Sequence, residues 1–165
     1  MTPDELAAHL TEATGAIERH ESAHGELSVW VGPERWRATA QHLKDCGRCH
    51  FDFITFLTAV DLEQEGMEVV LHLYSVRRQH HVNLKTVLGS DGATLPTLSD
   101  VWLGANWCER ETAELFGVDF AGHPNLVKLL LPEQFEGHPL RKSFKLMSRE
   151  AKDFPGDKEP EEVKP

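Results

Sequence analysis

The chain has 165 residues, of which 40% are hydrophobic and 27% charged, and 17 Lys and Arg against 27 Asp and Glu give a formal net charge of −10. That length suits one domain around one core, and the composition excludes wholesale disorder. The negative charge excludes a general attraction to nucleic acid or to an anionic membrane surface.

No apolar run reaches the roughly 18 to 20 residues that a spanning helix needs. The start Met1-Thr2-Pro3-Asp4-Glu5-Leu6 lacks the basic stretch and apolar run of an export signal. A cytoplasmic protein with Cys46, Cys49 and Cys108 as reduced thiols is the expectation.

In chain order, Thr2-Pro3-Asp4-Glu5 offers an N-cap, a proline at the first helical position and a glutamate at the third, followed by Leu6, Leu10 and Ala13 at helical spacing. From Glu26 the run Leu27 to Val31 alternates with period two. Gly32-Pro33 then stops it and starts a second helix carrying Trp36, Ala40 and Leu43, which Gly47 ends. Three segments, Phe51 to Val60, Met67 to Val76 and His80 to Leu88, are rich in Val, Ile, Phe or Thr and read as an antiparallel meander. Gly89-Ser90-Asp91-Gly92 reads as a turn, and Thr97 to Phe116 as the longest helical region, ending at Gly117. Beyond it the chain is irregular and holds two similar tripeptides, Gly122-His123-Pro124 and Gly137-His138-Pro139. The stretch Ser148 to Pro165 has almost no apolar content and reads as a flexible tail. The order and type of elements predict an α+β domain over 1–147, in two layers, with a mixed, mostly antiparallel sheet covered by helices and an irregular C-terminal segment.

Four groups of residues could carry chemistry. Cys46-Gly47-Arg48-Cys49-His50 has the spacing of a haem-attachment site, and the same three side chains could contribute to a zinc site that lacks an obvious fourth ligand. Unligated thiols remain the simpler reading. Glu109, Arg110, Glu111 and Glu114 lie in the long helical region, where Arg110 and Glu114 are four apart and can pair; the set reads as a solvated or partner-facing surface. His123 and His138 each stand between Gly and Pro and read as structural corners or docking points. Arg141 and Lys142, with Lys145, form the one local basic cluster, suited to a partner's carboxylates. Trp36, Trp102 and Trp107 fall at expected helix positions and read as core, any exposed one marking an interface.

Asn106-Trp107-Cys108-Glu109-Arg110-Glu111, Leu115-Phe116-Gly117-Val118, Phe120-Ala121-Gly122-His123-Pro124-Asn125-Leu126 and Gly137-His138-Pro139-Leu140-Arg141-Lys142 follow one another in that order. Together, over 107–142, they resemble the signature of the C-subunit family of NADH-quinone oxidoreductase, respiratory complex I. The resemblance continues upstream through Phe53 to Asp61, His72 to Ser75 and Leu95 to Trp102. Ala113 and Glu114 stand where the family usually has an aromatic residue followed by Asp, Ser143 where it usually has Asp, and Lys145 where Pro is common.

The resemblance implies a non-catalytic component of the peripheral arm of a proton-translocating complex, at the cytoplasmic face of the cell membrane. It implies docking chiefly on the D subunit, which is like the large subunit of hydrogenases, near the quinone site, with the B and I subunits as further neighbours. It implies no catalytic, cofactor-binding or metal residue in this chain, with FMN and iron–sulfur clusters carried by other subunits. The interface residues expected on it are Glu109, Arg110, Glu111, His123, Pro124, His138, Pro139, Arg141 and Lys142. On that reading Arg141→Ala weakens assembly while leaving the isolated domain about as stable as before. The rival readings are the matching component of a membrane-bound nickel–iron hydrogenase or of a ferredoxin- or deazaflavin-dependent quinone oxidoreductase, and an independent metal or haem protein built on Cys46, Cys49 and His50.

Overall fold

Thr2 opens the first helix, α1 (Pro3–Thr14), as its sequence predicts: the Glu5 N–H donates to the Thr2 hydroxyl at 3.3 Å and the Thr2 N–H to the Glu5 carboxylate at 2.9 Å. The helix buries Leu6, Ala7 and Leu10, while Ala13 faces solvent. The computed structural model describes residues 2–89 and 94–145. The predicted turn at Ser90 to Gly92, the boundary at 147 and the tail from Ser148 lie outside the described residues.

Two strands follow, β1 (Ile17–Ala23) and β2 (Glu26–Val31), joined at His24-Gly25, where φ is +54° and +84°. Two successive positive φ values are the mark of the tight hairpin turn whose twist matches paired strands. Strand β1 is absent from the sequence-based expectation. Its run Ile17-Glu18-Arg19-His20-Glu21-Ser22-Ala23 is almost wholly exposed, so it carries no apolar period and owes its strand form to pairing with β2.

After a single turn at Pro33–Arg35 comes α2 (Trp36–Asp45), which buries Trp36, Thr39, Ala40 and Leu43. The meander is β3 (Phe53–Asp61), β4 (Met67–Ser75) and β5 (His80–Leu88), each antiparallel to the next. Strand β5 also pairs in parallel with β2, so the five strands run in the order β1-β2-β5-β4-β3. Phe51 precedes the first strand of the meander rather than belonging to it, and is fully buried.

Inward-facing side chains of the sheet, among them Val29, Leu57, Leu71 and Leu84, share one core with Leu10, Trp36 and Phe116 of the helices. The predicted α+β, mixed and mostly antiparallel architecture is the observed one.

The region read as one long helix from Thr97 divides. Residues 97–104 form turns, and α3 spans only Ala105–Phe116. The turns are held from two sides. Arg37 on α2 donates to both carboxylate oxygens of Asp100, at 2.6 and 2.8 Å, and to the Thr97 carbonyl at 2.6 Å. Trp102, buried in a turn and not in a helix, donates its indole N–H to the Phe51 carbonyl at 3.1 Å. A short parallel pair, β6 (Thr94–Pro96) with β7 (Asp119–Ala121), closes the loop around α3. Trp102→Phe removes the one donor to the Phe51 carbonyl among the described residues and is expected to cost about 1–3 kcal/mol in chemical denaturation; an unchanged midpoint would show that water replaces the indole there.

Candidate functional site

Helix α3 carries the centre of the signature, and of the acidic residues read as a solvated or partner-facing surface Glu111 is exposed while Glu109 and Glu114 are buried. Its inward face is Ala105, Glu109, Thr112 and Phe116, spaced i, i+4, i+7 and i+11. Glu109 is completely buried, and its two oxygens accept from the Thr97 hydroxyl at 2.5 Å and the Leu98 N–H at 2.6 Å. Burial pushes its carboxyl above the ordinary range, against the pull of those two donors.

His123 packs beside it with its side chain fully enclosed, Nε2 lying 3.9 Å from Glu109 Oε2. The Asn125 N–H donates to His123 Nδ1 at 3.0 Å, which assigns the ring hydrogen to Nε2, and this donates to the Asn106 carbonyl at 3.2 Å.

Arg110 and Glu114 do not pair with one another, as their spacing suggested. Each instead grips the backbone of the segment that follows β7. Arg110 donates to the carbonyls of Val127 and Lys128, both at 3.0 Å. The Glu114 carboxylate accepts the N–H groups of Leu129, Leu130 and Leu131 at 2.8, 2.9 and 2.5 Å. Three successive backbone donors make a concave anion site that outweighs one exposed guanidinium as a partner. Burial alone would raise the Glu114 carboxyl, but these three donors overcome it and hold it below the ordinary value.

The second Gly-His-Pro corner closes on the end of the same helix. Gly117 takes φ +75°, and a Cβ there would lie 2.6 Å from His138 Nε2 and 2.8 Å from the Arg141 guanidinium. The last carbonyls of a helix have no partner within it. Here His138 Nδ1 donates to the Glu114 carbonyl at 2.9 Å, the Leu140 N–H to that of Leu115 at 3.1 Å, and Arg141 Nε to that of Phe116 at 2.5 Å. The Arg141 cation also sits where the helix dipole favours it. Lys142 turns back to β3: its N–H donates to Asp61 at 2.9 Å and its ammonium lies 3.2 Å from Glu63. That N–H, followed by the Glu63 N–H, holds the Asp61 carboxyl below its ordinary value.

Of the nine residues expected at an interface, Glu111, Pro124 and Lys142 are exposed, Arg110, His138, Pro139 and Arg141 are half-buried, and Glu109 and the His123 side chain are enclosed. Most of them therefore fasten the chain to itself. The exposed surface beside them is apolar instead: Leu103, Trp107, Val127, Leu130 and Leu140 are all more than half exposed, with Trp107 at 61%. The reading of Trp107 as core is overturned. An inward Glu109 rotates Trp107 and Glu111 to the outside, and the Arg110 guanidinium lies 5.5 Å from the indole ring. The helix spacing contains this signal once Glu109 is placed on the buried face.

The Cys46-to-His50 run brings the Cys46 and Cys49 thiols together, but His50 joins neither in a ligand cluster among the described residues. Cys46 caps the end of α2, His50 sits in a left-handed backbone conformation at φ +48°, and Cys49 is fully buried. Burial, with the neighbouring Cys46 thiol, pushes the Cys49 thiol up to about 12. Its sulfur cannot form a thioether with a haem without unpacking the core.

A family model described as the 30-kDa subunit of respiratory-chain NADH dehydrogenase matches residues 29–150. The chain belongs to this family. The C subunit of NADH-quinone oxidoreductase from Roseiflexus castenholzii is 41% identical over 150 residues, covering 90% of this chain and 86% of that one. The same component from Azorhizobium caulinodans is 39% identical over 148 residues, covering 88% and 70%. A combined C/D protein of the Shewanella woodyi oxidoreductase is 34% identical over 153 residues, which cover 87% of this chain and 25% of that one. Among solved structures, the trypsin-resistant fragment of Nqo5 superposes with a TM-score of 0.64 at 27% identity, covering 75% of this chain and 99% of the fragment. A chain of the archaeal membrane-bound sulfane sulfur reductase superposes with a TM-score of 0.77 at 26% identity, covering 87% and 86%. The protein is thus part of a complex I-like assembly, and no helix among its described residues is long and apolar enough to cross a membrane.

Because the folded Glu114 carboxyl lies below its unfolded value, its contribution to stability is present above the unfolded pKa and is lost as pH falls through the folded one. Glu114→Gln is expected to lose about 1–3 kcal/mol at neutral pH and to show a shallower fall in stability on acidification, which thermal melts from about pH 7 to pH 4 would measure.

Proposed function

We propose that this chain is a non-catalytic scaffold of the peripheral arm of a proton-translocating NADH-quinone oxidoreductase. It docks on the hydrogenase-like D subunit, near the quinone site and at the cytoplasmic face of the membrane, with the B and I subunits as further neighbours. The observation that carries this reading is the exposure of large apolar side chains on both sides of one joint: Leu103 and Trp107 before and at the start of α3, and Val127 and Leu130 on the segment that Arg110 and Glu114 of that helix hold. Interface cores are enriched in such side chains, and a few of them supply most of the binding energy.

The D subunit as the occupant is supported by the Shewanella woodyi relative, whose name joins C and D in a single polypeptide. Fusing two components preserves assembly when the two already meet. A role without chemistry fits the carboxylates of the signature: Glu109 and Glu114 are each committed to donors of this chain. No electron-carrying cofactor is assigned here; FMN and iron–sulfur clusters belong to other subunits.

The sulfane sulfur reductase chain has the same fold and favours a second reading, in which the assembly takes another electron partner. Identity near 40% to NADH-quinone oxidoreductase components, against 26% to that chain, favours the first.

The test separates docking from folding. Trp107→Ala is expected to weaken capture of the D subunit in a reconstituted mixture at least about tenfold, while the isolated chain melts within about 0.5 kcal/mol of the parent. Arg141→Ala, contrary to the expectation drawn from sequence, is expected to destabilise the isolated chain by about 1–2 kcal/mol through lost C-terminal capping. Capture of the D subunit by Trp107→Ala at parental strength would refute the assigned face. NADH oxidation by the chain alone would refute the scaffold role.

A further inference from the structure

Helices α1 and α2 bring three metal-binding side chains together at a place the family signature does not reach. His42 and Cys46 are one helical turn apart, and the Cys46 N–H donates to the His42 carbonyl at 2.9 Å, so both side chains leave the same face of α2 and its cap. His9, from the middle of α1, meets them: its Nε2 lies 3.2 Å from Cys46 Sγ. One ligand atom from each of the three lies within 4.8 Å of the others. Two nitrogens and one sulfur around a tetrahedral zinc stand about 3.5 Å apart, so small side-chain movements complete the arrangement.

A second observation points the same way. His42 Nε2 is enclosed, yet has no hydrogen-bond partner among the described residues. A buried ring nitrogen without a partner is costly, and coordination would satisfy it.

We propose that His9, His42 and Cys46 bind one divalent transition-metal ion of the zinc class, clamping α1 onto α2. A thiolate with two imidazoles is the donor set that suits zinc. The fourth position is open to water or to the Cys49 sulfur three residues on. On binding, the Cys46 S–H bond breaks and its proton leaves to solvent, the sulfur keeping the electron pair it gives the metal; both histidines bind neutral. The exposed Arg48, whose guanidinium is 3.4 Å from His9 Nδ1, gives up that contact. The site is structural and assigns no electron transfer, so it stands or falls apart from the docking reading above.

The test uses the full chain without a polyhistidine tag, reduced and freed of metal by chelator, then titrated with zinc or cobalt(II). One equivalent is expected to bind, with cobalt giving thiolate charge-transfer absorption and the visible bands of tetrahedral coordination. Cys46→Ser and His42→Ala are expected to weaken binding by more than the roughly 10–100-fold that outer-shell changes cost, and Cys108→Ser to leave it unchanged. His9→Gln, half-exposed on α1, repeats the test if either of the other ligand variants fails to fold. Absence of saturable binding, cobalt bands without thiolate absorption, or full affinity in Cys46→Ser overturns the proposal.

Discussion

The C-terminal third of the described chain depends on how the polar groups of α3 are satisfied. The segment 122–145 has no helix or strand of its own, so its backbone donors and acceptors need partners from elsewhere. Glu114 supplies three acceptor contacts, Arg110 supplies two donors, and the open carbonyls at the end of the helix receive His138, Leu140 and Arg141. An irregular strap is thereby fixed on a regular element with few apolar contacts of its own. Gly117 allows the close approach, because any side chain there would strike His138 and Arg141.

This arrangement divides the labour between polar and apolar residues in an order opposite to the usual one. Glu109, Arg110 and Glu114 of α3 face inward or along the strap, while Glu111 and the indole of Trp107 face out. Leu130 is half of the same device: its N–H is held by Glu114 while its side chain is 61% exposed. A rigid strap presenting apolar side chains loses little conformational entropy when a partner covers it. The polar network beneath therefore acts on docking through positioning and not through contact.

The other end of the molecule has a separate anchoring problem. Helix α1 precedes residue 29, where the family match begins. Leu6 and Leu10 attach it to the common core, and His9 reaches toward α2. Arg37 performs the equivalent task on the other side of α2 by clamping Asp100.

The sequence by itself determined the elements whose patterns are local: the capped first helix, the alternation of Leu27 to Val31, the three-stranded meander, and the motif order that names the family. These follow from side-chain period and capping chemistry, which a short window contains. Tertiary structure decided what depends on distant partners. Strand β1 exists because β2 lies beside it, and 97–104 is turned because Arg37 and Phe51 hold it. Glu109 is buried because Thr97 and Leu98 meet it, and this in turn sets Trp107 outward. Cys46 finds His9 and His42 beside its neighbour Cys49, and His50 is not among them, since most of the ligand geometry comes from two helices and not from the pentapeptide. In each case the deciding donor or ligand lies outside the local pattern, and no periodicity reports it.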